Sequence, residues 1–183
     1  MPFPMRANRA IPAGRRLLLV SLFLVSLAPT HAQTTRPDER IELREVVTEM
    51  RNKAIVRQAF ETWRAGGNVF ETLLVPDVVW TIHGSGPVAG TYLGLQNFIQ
   101  NASVPLVSRL ATPILPDVRS IMADGDKVSI RFDGSATTTS GAPYRNQFVW
   151  IFRMVDGRVV EAEAFLDLVA YQQVVENNQP RAR

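Results

Sequence analysis

In a chain with no cysteine and two histidines, few side chains can move a proton near neutral pH. His83 ends a short apolar run directly before a glycine-rich segment. With an unperturbed pKa of about 6.5, its imidazole can transfer protons or donate a hydrogen bond to a ligand; a satisfied structural histidine fits the position equally well. Thr81, two residues earlier, shares its strand face. Arg131 and Asp133 form a second set, on the same face of 127–138 as Ser129, while Val128, Ile130 and Phe132 take the other. That polar face either lines a pocket or is the solvated side of a sheet. Asp167 follows the run 158–166 directly, as a site carboxylate or as a cap for the segment that follows. Arg131, Asp133, Asp167 and His83 are therefore the candidate catalytic residues. Trp63, Trp80 and Trp150 are candidates for walls that would hold a flat apolar ligand, with the hydroxyls of Thr81 and Tyr92 beside them. Phe148, Trp150 and Phe152 alternate on one face and also read as core.

The elements that position these residues follow from periodicity. Leu43, Val47, Met50 and Ala54, then Val56, Ala59, Phe60 and Trp63, recur mainly at helical steps over 41–65, and a break near Asn52 would divide the helix. Gly66-Gly67 ends it. Asn68 with Glu71 reads as a capping box for a short helix through Leu74, stopped by Pro76-Asp77. Residues 78–83 read as a strand and 84–94 as loop or extended chain, with no phosphate-loop lysine. A third helix spans 95–104, ended or kinked by Pro105. The pattern then changes to strands over 118–123, 127–138, 145–154 and 158–166. Asp124-Gly125-Asp126, Ser140–Pro143 and Asp156-Gly157 are the turns. Helices followed by a run of strands predict an α+β fold, with helices on one face of a curved antiparallel sheet.

The ends change the charge balance. Arg6, Arg9, Arg15 and Arg16 precede the apolar run Leu17 to Leu27, and small residues follow, with Thr30 and Ala32 before Gln33. This predicts a secretory signal over 1–32, a flexible tail over 33–40 and one domain over 41–183, in a periplasmic or secreted protein. The apolar run is shorter than the roughly 18–20 residues of a spanning helix, so no membrane contact is expected after cleavage. The whole chain carries 20 basic and 17 acidic residues, with pI near 9.8. Four of the basic residues lie in 1–32, which leaves 16 against 17. Without a basic footprint, nucleic acid is not an expected partner. His31 also leaves with the signal, so one histidine and no cysteine make a zinc site of the usual kind unexpected. No G-x-S-x-G supports a serine hydrolase.

Three stretches in order, FETWRAGG, then LLVPDVVWTIHGSGPVAGTYLG, then FVWIFRMVDGRVVEAEAFLD, resemble the SnoaL-like branch of the nuclear transport factor 2-like superfamily over about 50–175. The resemblance implies a cystatin-like α+β cone, a barrel-like curved sheet with N-terminal helices around a mostly apolar pocket. It also implies a small apolar molecule as partner, no cofactor, and a homodimer through the open sheet face. Within the superfamily, ketosteroid isomerases need an Asp base, a Tyr and a protonated Asp. In register, Thr81, Ala59 and Val149 stand there instead, which removes that activity. Limonene epoxide hydrolases are similar in part, through an Arg-x-Asp pair and a second Asp after the last strand. Arg131, Asp133 and Asp167 match these. That resemblance implies one carboxylate drawing a proton from water while a protonated one donates to an oxygen, tuned by the arginine. The Tyr and Asn that hold the water in that family fall near Thr81 and His83 and differ here. A binding domain and a cofactor-independent enzyme of hydrolase, isomerase or cyclase type both remain open.

Overall fold

The computed structural model describes residues 36–182, and the signal expected over 1–32 lies outside them. The first helix, α1 (Pro37–Arg64), starts inside the expected tail, with proline in its first turn and the Arg36 N–H donating to Glu39 Oε2 at 3.1 Å. It is unbroken at Asn52. The step from Ala54 to Val56 is two residues, about 200° around a helix of 3.6 residues per turn. One straight helix therefore cannot bury both apolar stripes. Val56, Ala59 and Phe60 face the core, whereas Leu43, Val47, Met50 and Ala54 are exposed.

Asn68 caps α2 (Val69–Leu73), its Oδ1 accepting the N–H groups of Phe70 and Glu71 at 3.0 and 3.3 Å. Strand β1 (Leu74–Ile82) follows, and the glycine-rich stretch supplies a short strand, β2 (Gly90–Leu93). The third helical segment comprises α3 (Leu95–Phe98), a π turn (Ile99–Ser103) and α4 (Val104–Val107). Pro105 sits in the first turn of α4, directly after the π turn, and the chain stays helical through it, so of the expected end or kink the end does not occur. Four long strands follow: β3 (Leu115–Asp124), β4 (Lys127–Thr137), β5 (Pro143–Val155) and β6 (Arg158–Leu166). Asp156 and Gly157, with φ of 49° and 79°, join β5 to β6 in the two-residue turn that strand twist favours. A last helix, α5 (Leu168–Asn177), has no counterpart among the expected elements.

The six strands form one curved, unclosed sheet in the order β2-β1-β6-β5-β4-β3. The expected antiparallel sheet is mixed, because β1 pairs with β6 in parallel. A parallel neighbour needs a long crossover, and everything between the two strands serves as one. Bulges between Val118 and Ser120 and between Arg153 and Met154 help bend the sheet. On the inner face, Phe60 of α1 meets Phe132 and Trp150 edge-on at 5.0 and 5.7 Å between ring centroids, and Trp63 meets Phe132 edge-on at 5.7 Å. This aromatic cluster is the core on which the helices rest.

One buried side chain lacks compensation at both of its polar atoms. Asn52 is fully buried, and neither its Oδ1 nor its Nδ2 has a partner among the described residues. An unsatisfied buried amide costs about 1–3 kcal/mol, whereas an apolar side chain of similar shape does not. Asn52→Leu should therefore raise stability by about 1–2 kcal/mol and Tm by about 3–6 °C, read by calorimetry. A lowered Tm would show that the amide does have a partner.

Candidate functional site

Aromatic walls enclose a cavity of about 410 Å³ between the inner sheet face and the helices. It exists because α1 ends at Arg64 and the inner side of β6 carries small residues. Ala164 stands in register with Trp150 on one side and Ile82 on the other, leaving room above them. Trp63 and Trp150 stack at 5.8 Å with an interplanar angle of 5°, and Trp80 stacks on Phe98 at 4.1 Å. Phe70 stands edge-on to Trp80, and Leu106, Leu110 and Ile114 continue the apolar lining. Polar groups on the wall are few. The Tyr171 hydroxyl donates to Ala102 O at 2.9 Å, and burial pushes its pKa up, so it stays protonated. The Trp80 Nε1–H has no partner among the described residues. Arg181 is the one charged residue of the lining among the described residues.

Of the residues singled out by sequence, Trp63, Trp80 and Trp150 line this cavity. The others lie elsewhere. Arg131 and Asp133 are on the outer sheet face, because strand alternation gives the inner position to Phe132. Arg119 Nε donates to Asp133 Oδ2 at 2.8 Å, and Arg131 Nη2 lies 3.2 Å from Oδ1. Asp167 caps α5, its Oδ1 accepting the N–H groups of Val169 and Ala170 at 2.9 and 3.0 Å. Asn146 holds the backbone of Asp167 through both side-chain atoms, and its Nδ2 also donates to the Tyr144 hydroxyl. Burial pushes the pKa of Tyr144 up to about 12, so that phenol stays neutral. Asp133 and Asp167 do border one groove, but it is an open polar one shared with Arg119, Arg145 and Gln147, apart from the aromatic cavity.

His83 also faces outward. Its Nε2 is 2.8 Å from Glu163 Oε2, its ring stacks on Phe165 at 4.6 Å, and its side chain is 39% exposed. Thr81 Oγ1 meets Thr91 Oγ1 at 3.0 Å near the same outer groove, and Tyr92 donates its hydroxyl to Val88 O at 2.8 Å, outside the cavity lining. Tyr171 and Arg181 went unnoticed because they follow β6, where no element was expected. Leu168, Tyr171, Val174 and Val175 after a capping Asp167 were the available signal.

Among curated proteins, none matches this sequence. Solved structures of similar fold include TerC co-crystallised with polyporic acid, 22% identical with a TM-score of 0.56, over 69% of this chain and 98% of that one. A putative SnoaL-like polyketide cyclase from Jannaschia sp. CCS1 is 20% identical with a TM-score of 0.56, over 72% of this chain and 96% of that one. A nuclear transport factor 2-like protein from Burkholderia thailandensis E264 is 21% identical with a TM-score of 0.56, over 70% and 98%. These likenesses show a common fold. The SnoaL-like domain family itself matches residues 56–162, more than half of the sequence, and the chain belongs to that family.

Proposed function

We propose that this domain binds one flat, largely apolar molecule in the aromatic cavity. The observation that carries the reading is the wall itself: stacked and edge-on rings around an otherwise apolar space, with few polar groups to fix orientation. Acid–base work by Asp133 and Asp167 would have to proceed in the polar groove outside, and Arg131 lines neither that groove nor the cavity, so binding is the better supported reading of the cavity. All three tryptophans of the chain line the cavity, which makes intrinsic fluorescence a direct reporter. Titration with planar aromatic compounds of two to four fused rings should give saturable quenching at one site per chain. Unchanged emission across such a panel would reject the reading.

The leader of 1–32 supports export to the periplasm or medium, with the cut before Gln33. N-terminal sequencing of exported protein should begin at or next to Gln33; a chain still beginning at Met1 would reject cleavage. A homodimer through the outer sheet face is also proposed. It is supported by Val149 and Phe165, 36% and 42% exposed, amid the Arg153–Glu161 and His83–Glu163 pairs. Sedimentation at twice the chain mass is expected, and a monomer at micromolar concentration would reject the pairing.

A further inference from the structure

We propose that the ligand of the cavity carries an anionic group, a carboxylate or ionised phenol, which Arg181 receives at the rim. This rests on the reading that the cavity binds a flat apolar molecule. Among the described residues of the lining there is one cation, Arg181, and no carboxylate. Arg181 is exposed yet borders the cavity, which places it on the rim. Only one weak side-chain bond holds its guanidinium, Nη2 to Val107 O at 3.3 Å, and it joins no ion pair among the described residues. A guanidinium has five N–H donors in a fork suited to a carboxylate, so most of them remain for a ligand. Three outer-face arginines differ, Arg119, Arg131 and Arg153, each of which lies against a carboxylate.

The backbone of Arg181 is held much more firmly than its side chain. Its N–H donates to Ser108 O at 2.8 Å. Three residues earlier, the Asn178 carbonyl accepts Arg109 Nε at 3.0 Å, and Thr139 Oγ1 donates to Gln179 O at 2.8 Å. The buried Asn178 amide completes the strap, donating to Val174 O and accepting Ser140 N–H. Residues 178–181 are thus fixed against α4 and the β4–β5 connection, and the cation is delivered to one place. Arg109 lies along the same edge, with its guanidinium on the carbonyls of Pro105 and Asn178, adding positive potential without consuming an acid. A flat anion would enter ring-first between the tryptophans and leave its charged group at the rim. There it keeps part of its hydration and escapes the cost of full burial.

The test compares 2-naphthoate with its uncharged analogue 2-naphthamide on the purified chain, by titration calorimetry at low ionic strength and pH 7. Naphthoate should bind about fivefold more tightly, and added salt should narrow the gap, because a rim pair is screened. Arg181→Gln should abolish the preference and Arg181→Lys should retain part of it, with thermal unfolding unchanged in both. Arg153→Gln, on the outer face, should leave it intact. Equal binding of the two probes, or a preference that survives Arg181→Gln, would overturn the anion assignment and leave the cavity reading standing. Failure of both probes to bind would overturn both.

Discussion

Phe132→Ala is expected to remove about 3–5 kcal/mol of unfolding free energy, a large part of the roughly 5–15 kcal/mol that holds a domain of this kind. Phe132 is fully buried at the middle of β4 and touches four other rings. It stacks on Phe148 at 4.7 Å and meets Phe60, Trp63 and Trp150 edge-on at 5.0, 5.7 and 4.8 Å. Removing the ring forfeits its transfer free energy and leaves a hole that a clamped sheet cannot close. Trp63 and Trp150 lean on the same ring, so the cavity walls should loosen with the core. Denaturant unfolding should show a lower midpoint at an unchanged slope. Its sequence neighbours set the contrast: Arg131→Ala and Asp133→Ala disturb an ion-pair group on the outer face and should each cost less than about 1 kcal/mol. A Phe132→Ala loss as small as theirs would show that the aromatic cluster is not the centre of the core.

Ala164→Phe should abolish ligand binding, with at least a tenfold loss of affinity for any planar aromatic probe, while the domain stays folded. Ala164 is 2% exposed, faces inward between Ile82 and Trp150, and borders the cavity. A phenyl ring there occupies space the ligand needs, and tenfold corresponds to about 1.4 kcal/mol. Because the space is already open, overpacking strain should be small. Ala162, two residues earlier on the same face and equally buried, does not border the cavity. Ala162→Phe should instead cost about 1–3 kcal/mol of stability through forced side-chain shifts. Fluorescence titration and thermal unfolding of the two variants separate the effects. Full affinity in Ala164→Phe would place the ligand outside the cavity and reject the binding site.

Much of the fold was legible residue by residue. Asn68 announced the start of α2, the Asp156-Gly157 pair announced a turn with both φ values positive, and β6 runs over the expected residues. These features are local, decided by a side chain within a few bonds of the backbone it constrains. Other features were not legible. Leu43 and Met50 fit helical spacing yet face solvent, because periodicity identifies a stripe but not which stripe the sheet will cover. The parallel pairing of β1 with β6 joins residues about 80 positions apart, and no local signal encodes it. Nor could Arg181 be recognised, since its place at the rim depends on its own N–H donating to Ser108 O and on Arg109 and Thr139 donating to the carbonyls of Asn178 and Gln179.

By itself, then, the amino-acid sequence determined the α+β class, the family, the alternation that separates Phe132 from Arg131 and Asp133, and the three tryptophans as candidate walls. Only the tertiary structure decided what those faces border. Alternation assigns residues to two sides of a strand with equal certainty, but it carries no sign for which side the helices will cover. That choice is made by packing between distant segments: Phe60 and Trp63 of α1 against Phe132 and Trp150 put the aromatic rings around the cavity. The same packing left Arg131, Asp133 and His83 on the outer face.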